Sequence, residues 1–156
     1  MAKARTKNCK YWRLKADGLW SEIVRSPGHC EICGREGKPR SDGKCISGLN
    51  AHHLITKGSA PKYRHDVNNG ICLCVTCHKW GTNLSCWAEY DGIDSPFFTV
   101  SAHGDFEQMT RFWLWVEHYK PETYKWYQRH KNDKKIVDID YEAAYNRLLE
   151  METPNW

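Results

Sequence analysis

The chain has 156 residues, a formal net charge of +4, 40% hydrophobic and 27% charged residues, and eight cysteines. That length fits one domain with appendages, and no stretch approaches the ~20 consecutive apolar residues of a membrane span. Met1 to Lys7 is basic without the apolar run of a secretory signal, so the expected setting is the cytoplasm, where C-x-x-C pairs serve metals rather than disulfides.

Residues 1–15 form a basic arm: Lys3, Arg5, Lys7, Lys10, Arg13 and Lys15 stand there with no acid. Such an arm either follows a phosphate backbone or is a solvated terminus. From Tyr11 onward, Leu14, Leu19, Trp20, Ile23 and Val24 recur at helical spacing, predicting a short amphipathic helix. Pro27-Gly28 breaks it and delivers Cys30-x-x-Cys33-Gly34, where the glycine permits the positive φ of a tight knuckle. His29 competes as a ligand, but Cys30 is preferred.

Residues 35–47, rich in Gly, Lys, Arg and Ser, read as an exposed loop. A strand is expected to end near His52-His53-Leu54-Ile55, a basic loop to span Lys57 to Arg64, and a second strand, antiparallel to the first, to cover Asn69 to Cys74. A helix is expected from Cys77, with His78 on its first turn. Leu84 to Phe98 shows no clean period. Gly104-Asp105 opens a helix through Phe112 and Val116, and Pro121 opens another to about His130. Ile136 to Ile139 reads as a short extended piece, followed by an N-capped helix from about Asp140 to Met151.

The densest chemistry lies in Asn69-Gly70-Ile71-Cys72-Leu73-Cys74-Val75-Thr76-Cys77-His78. Cys74-x-x-Cys77 needs two further ligands, and Cys30-x-x-Cys33 supplies them: two pairs at this separation indicate a four-cysteine structural zinc site. Cys9, Cys45, Cys72 and Cys86 are then free thiols. His52, His53 and His78 remain as surplus imidazoles around a filled thiolate site, which points to a second metal with a different task.

Taken together, Cys30-x2-Cys33, Ala51-His52-His53-Leu54-Ile55 and Asn69-x8-His78 enclosing Cys74-x2-Cys77 resemble the HNH endonucleases. Leu19 to Arg25, Tyr63-Arg64-x-Asp66 and Ser101-Ala102-His103 narrow the likeness to small phage and prophage HNH proteins of the NinG-like type. The resemblance implies an α+β fold, a ββα-metal HNH core with the four-cysteine knuckle pair, flanked by N-terminal and C-terminal helices. It divides the chain into the arm 1–15, a nuclease domain over 16–100, and a helical C-terminal extension over 101–156 packed on it.

By position, the resemblance makes His53 the general base and Asn69 the residue that orients it. His52 and His78 would hold one catalytic divalent ion such as Mg²⁺, Mn²⁺, Ni²⁺ or Zn²⁺, in a single-metal hydrolysis of DNA, double-stranded in the usual case. Lys57, Lys62 and Arg64 are the phosphate-binding candidates, and phage packaging or recombination proteins are the candidate protein partners. A geometric condition attaches to His52 and His53: neighbouring strand residues point to opposite faces, so the strand must bend or end there for both to serve one site.

His29, His65, His103, His118 and His130 are read as surface or packing residues, and the Trp113 to Tyr127 aromatics as core rather than as a base-stacking platform. The alternative function is a zinc-containing nucleic-acid-binding accessory protein without catalysis. A third is a protein-interaction adaptor built on the aromatic helices.

Overall fold

The computed structural model of the protein describes residues 10–39, 41, 46–83 and 99–151. Most of the arm, the segment 84–98, and Cys9, Cys45 and Cys86 lie outside the described residues. Helix and strand are mixed, and none of the described helices is long and apolar enough to cross a membrane.

Helix α1 (Lys10–Val24) starts inside the basic stretch and buries Ala16, Trp20 and Val24, which lie four residues apart on one face. That face meets α4 (Tyr141–Glu150), where Ala144 and Leu148 are buried at the same spacing. Asp140 caps α4 as predicted, accepting from the Ala143 amide at 3.0 Å.

The centre of the fold is the antiparallel pair β3 (Leu49–His53) and β4 (Gly70–Cys74), in which His53 stands opposite Gly70 and His52 opposite Ile71. A β-carbon on Gly70 would lie 2.3 Å from Val24 Cγ2 and 2.9 Å from Trp20 Cζ2. Glycine is therefore what lets α1 sit directly on this pair.

The knuckle forms as predicted: Cys30 N–H donates to Arg35 O at 2.8 Å, Gly34 N–H donates to Cys30 O at 2.9 Å, and Gly34 has φ 71°. Glu31 docks it on β4, donating its amide to Cys72 O at 2.9 Å and accepting the Cys72 amide on Oε2 at 2.7 Å. The Glu31 carboxylate also pairs with Lys120, the residue that follows α2 (Phe106–Tyr119). In place of a plain loop, part of 35–47 pairs as β1 (Lys38–Pro39) with β2 (Ile46–Ser47).

Beyond β4 the expected helix is only one π-helical turn, Thr76–Trp80, stopped at Gly81 with φ 89°. Strands β5 (Thr82–Asn83) and β6 (Thr99–Val100) then pair, bringing Ser101 to His103 back beside that turn. Asp105 and Gln108 form a reciprocal cap for α2, whose buried Phe112, Trp115 and Val116 join Ile32, Leu54, Ile71, Leu73 and Val100 in one core. Each such side chain contributes about 1.5–3 kcal/mol by leaving water. In α3 (Pro121–His130), Tyr127 stacks on Trp113 with centroids 4.0 Å apart, so aromatics of this stripe pack helix on helix. Ile136 to Ile139 forms no strand, and Ile136 is 97% exposed.

Candidate metal centres

The first centre joins the knuckle to the end of β4. The sulfurs of Cys30, Cys33, Cys74 and Cys77 lie within 4.8 Å of one another, and Cys33 Sγ is 3.7 Å from Cys74 Sγ. Thiolates on one zinc at ~2.3 Å stand about 3.8 Å apart, so this set fits a tetrahedral Zn²⁺. The Cys77 amide points at Cys74 Sγ at 3.4 Å, a donor that favours thiolate. A hydrogen bond with Cys77 holds the Cys30 thiol below its ordinary value, whereas burial pushes Cys33 up. A dication would allow all four to lose their protons. His29 stays outside, its Nδ1 donating to Pro27 O at 2.8 Å, and Cys72 is a buried free thiol pushed up to about 12 chiefly by burial.

The second centre is a cluster of three histidines. Ring nitrogens of His52, His78 and His103 lie within 4.8 Å of one another. Three nitrogens on one ion at ~2.1 Å stand about 3.4 Å apart, within reach of small side-chain rotations. His78 Nδ1 is buried with no hydrogen-bond partner, as expected of a nitrogen reserved for a metal. Burial, reinforced by the neighbouring imidazoles, lowers His52 to about 3, and burial with His103 and Lys79 lowers His78 to about 4. Both rings are therefore neutral at pH 7, the form that ligates. The residues present fit a divalent ion.

His103, expected among surface or packing residues, is indeed exposed, and it stands beside His52 and His78. Ala102 N–H donates to Cys77 O at 3.0 Å, and the buried Ser101 directs its hydroxyl to His78 O at 3.5 Å, so this segment docks on the turn that carries His78. The Ser101-Ala102-His103 run was the available signal, obscured by the fifteen residues of 84–98 that separate it from the hairpin.

His53 faces the other way from His52, as strand alternation requires. Its ring stacks on Trp20 with centroids 3.8 Å apart, whereas the His52 ring meets Phe112, His78 and His103. Because β3 ends at His53, both histidines still line one cleft of about 450 Å³, with Thr56, Lys57, His78 and His103. His53 Nε2 lies 2.9 Å from Arg64 O and donates to it. Burial lowers the ring to about 4, against the Arg64 carbonyl bond, which raises it.

Asn69 is fully buried: Oδ1 accepts from Ile55 N–H at 2.7 Å, and Nδ2 donates to Ile55 O at 2.9 Å and Tyr63 O at 3.0 Å. It ties the strand exit to the loop whose next carbonyl, that of Arg64, receives His53. The neighbouring Asn68 is exposed. Of the phosphate-binding candidates, Lys57 is exposed in the cleft, Lys62 pairs with Asp133 at 2.5 Å, and the Arg64 guanidinium is held by both Asp17 oxygens at 2.6 Å. Asp17 and Trp20, both on α1 and both around His53, were not singled out together from sequence because their partners lie far along the chain. No protein-family model, curated protein or solved structure matches this chain at a significant level, so its own geometry carries the functional reading.

Proposed function

We propose that this chain is a metal-dependent DNA endonuclease of the HNH type, built on a ββα-metal core with a structural zinc. The observation that supports it above all is the convergence of His52, His78 and His103 beside a separately held His53 in one cleft. Hydrolysis of a phosphodiester needs a proton acceptor for water, charge neutralisation at the phosphate and a fixed geometry. Distinct residues meet each need.

His53 is the general base. Its Nε2 hydrogen is committed to Arg64 O, which leaves Nδ1 as the atom that takes the proton from the attacking water. Trp20 on one ring face and the Asn69-held loop fix its orientation in advance. Lys57 supplies a positive charge toward the phosphate oxygens from the same cleft. His52, His78 and His103 would hold the divalent ion, whose chemistry when bound is polarisation of the scissile phosphate and stabilisation of the leaving oxygen. Cys30, Cys33, Cys74 and Cys77 would hold zinc away from the chemistry.

Supercoiled plasmid incubated with Mg²⁺, Mn²⁺, Ni²⁺ or Zn²⁺ tests the reading. Nicked or linear product from the wild type, absent with His53→Ala, is expected. Salt-sensitive DNA binding without strand breaks in any metal would instead identify a non-catalytic nucleic-acid-binding protein.

A further inference from the structure

The loop that borders the three-histidine cleft also borders a second groove. Gly58 lines both. The second groove, about 420 Å³, is walled by Gly58, Ser59 and Lys62 on one side and by Lys134, Lys135 and Ile136 of the α3–α4 connection on the other.

Asp133 pins these walls together. Its carboxylate pairs with Lys62 at 2.5 Å, accepts the Tyr63 hydroxyl at 2.8 Å and accepts the Lys135 amide at 3.2 Å. The negative charge of Asp133 is thereby neutralised inside the wall. Lys134 and Lys135 remain exposed, and no carboxylate among the described residues lies within ion-pairing distance of them. With Lys57 in the adjoining cleft, they make a positive path that runs along the loop.

We propose that this groove carries the phosphate backbone of the DNA beside the bond to be cut, through Lys134 and Lys135. The inference rests on the nuclease reading for the identity of the strand. Lysines on long stems, with no guanidinium fork or buried donor converging on a point, suit a repeating polyanion better than a single bound anion. Continuity through Gly58 gives that polyanion a route from the reacting phosphate into the groove.

The test is duplex oligonucleotide binding, followed by fluorescence anisotropy over a range of salt, with the zinc-replete full chain carrying His53→Ala so that nothing is cut. Adding Lys134→Glu with Lys135→Glu should weaken binding at least tenfold at ~0.1 M salt and lower the slope of log affinity against log salt by about 2, one for each phosphate no longer neutralised. The Ala pair at the same positions should lower the slope by the same amount and weaken binding by less, since it adds no repulsion. Lys125→Glu with Arg129→Glu changes the net charge equally on α3 and should leave binding near the parent.

Parent-like affinity and slope in the groove variants would overturn the proposal, as would an equal weakening in the α3 variant or a parent that binds no duplex. Plasmid cleavage by the wild type separates the two readings. Weakened binding by the groove variants with no cleavage in any metal retains the groove and removes the nuclease, while cleavage with parent-like binding does the reverse.

Discussion

His53 gives its Nε2 hydrogen to the main-chain oxygen of Arg64 at 2.9 Å. A carbonyl only accepts, so the tautomer is set by a main-chain contact rather than by a carboxylate, and Nδ1 is the basic atom. His53→Ala should therefore lower plasmid cleavage by roughly 10²–10⁴-fold. Removing its stack on Trp20 should cost only about 1 kcal/mol. Cleavage that persists at the wild-type rate in a folded His53→Ala protein would remove His53 from the chemistry.

Burial holds His53 at about 4, below an ordinary imidazole. As the proposed base the ring acts in its neutral form, so cleavage should be present above that value and lost as pH falls through it. The acid limb of kcat/KM should fall below about pH 5 rather than near ~6.5, where a free imidazole titrates. A midpoint near neutrality would show that the ring is solvated during cleavage.

Although burial alone would raise it, hydrogen bonds from Arg64 and His65 hold the Asp17 carboxyl well below the usual carboxylate range. A group lowered in the folded state stabilises above its unfolded value, near ~3.9, and loses that contribution as pH falls further. Asp17→Asn should cost roughly 2 kcal/mol at neutral pH, and the gap in melting temperature from wild type should close below about pH 4. Because Arg64 also carries the carbonyl that receives His53, kcat should fall in the same variant.

The two centres should separate on metal analysis. Cys74→Ser removes a ligand from the four-cysteine site, where a structural zinc would contribute on the order of 10 kcal/mol, so the module should fail to fold. His103→Ala should fold, keep the thiolate zinc and bind the second ion more weakly. Equal depletion of both metals in His103→Ala would show that the centres are not independent.

Two glycines should respond in opposite directions. Gly70→Ala forces a methyl against Val24 and Trp20 and should cost about 1–3 kcal/mol. Gly18, mid-helix in α1, has nothing within 4 Å of an added β-carbon, so Gly18→Ala should stabilise by roughly 0.5–1 kcal/mol. Thermal melts of the pair check the close approach of α1 to the hairpin.

The thiolate set was legible because C-x-x-C spacing encodes a local turn, and the hairpin because its strands are bounded by loop residues. The caps at Asp105 and Asp140 and the Pro121 start are local chemistry too, and they hold. His103 was not legible because its place depends on β6 pairing back to β5 across the intervening segment. Arg64 read as a phosphate contact since a basic loop carries no trace of Asp17, 47 residues away. The helix after Cys77 was overestimated because Gly81, free to take a positive φ, ends it after one turn.

The Glu31 contact with Cys72 bears on how this molecule avoids its own kind. A two-stranded ribbon has two open margins, each able to recruit a stray chain into a growing sheet. On β4 the outward-facing amide and carbonyl of Cys72 are already occupied by Glu31, at the strand's midpoint. The knuckle thus serves as a selvedge for the ribbon, and breaking the four-cysteine site that holds it in place would cost solubility as well as shape, since it would unstitch that margin.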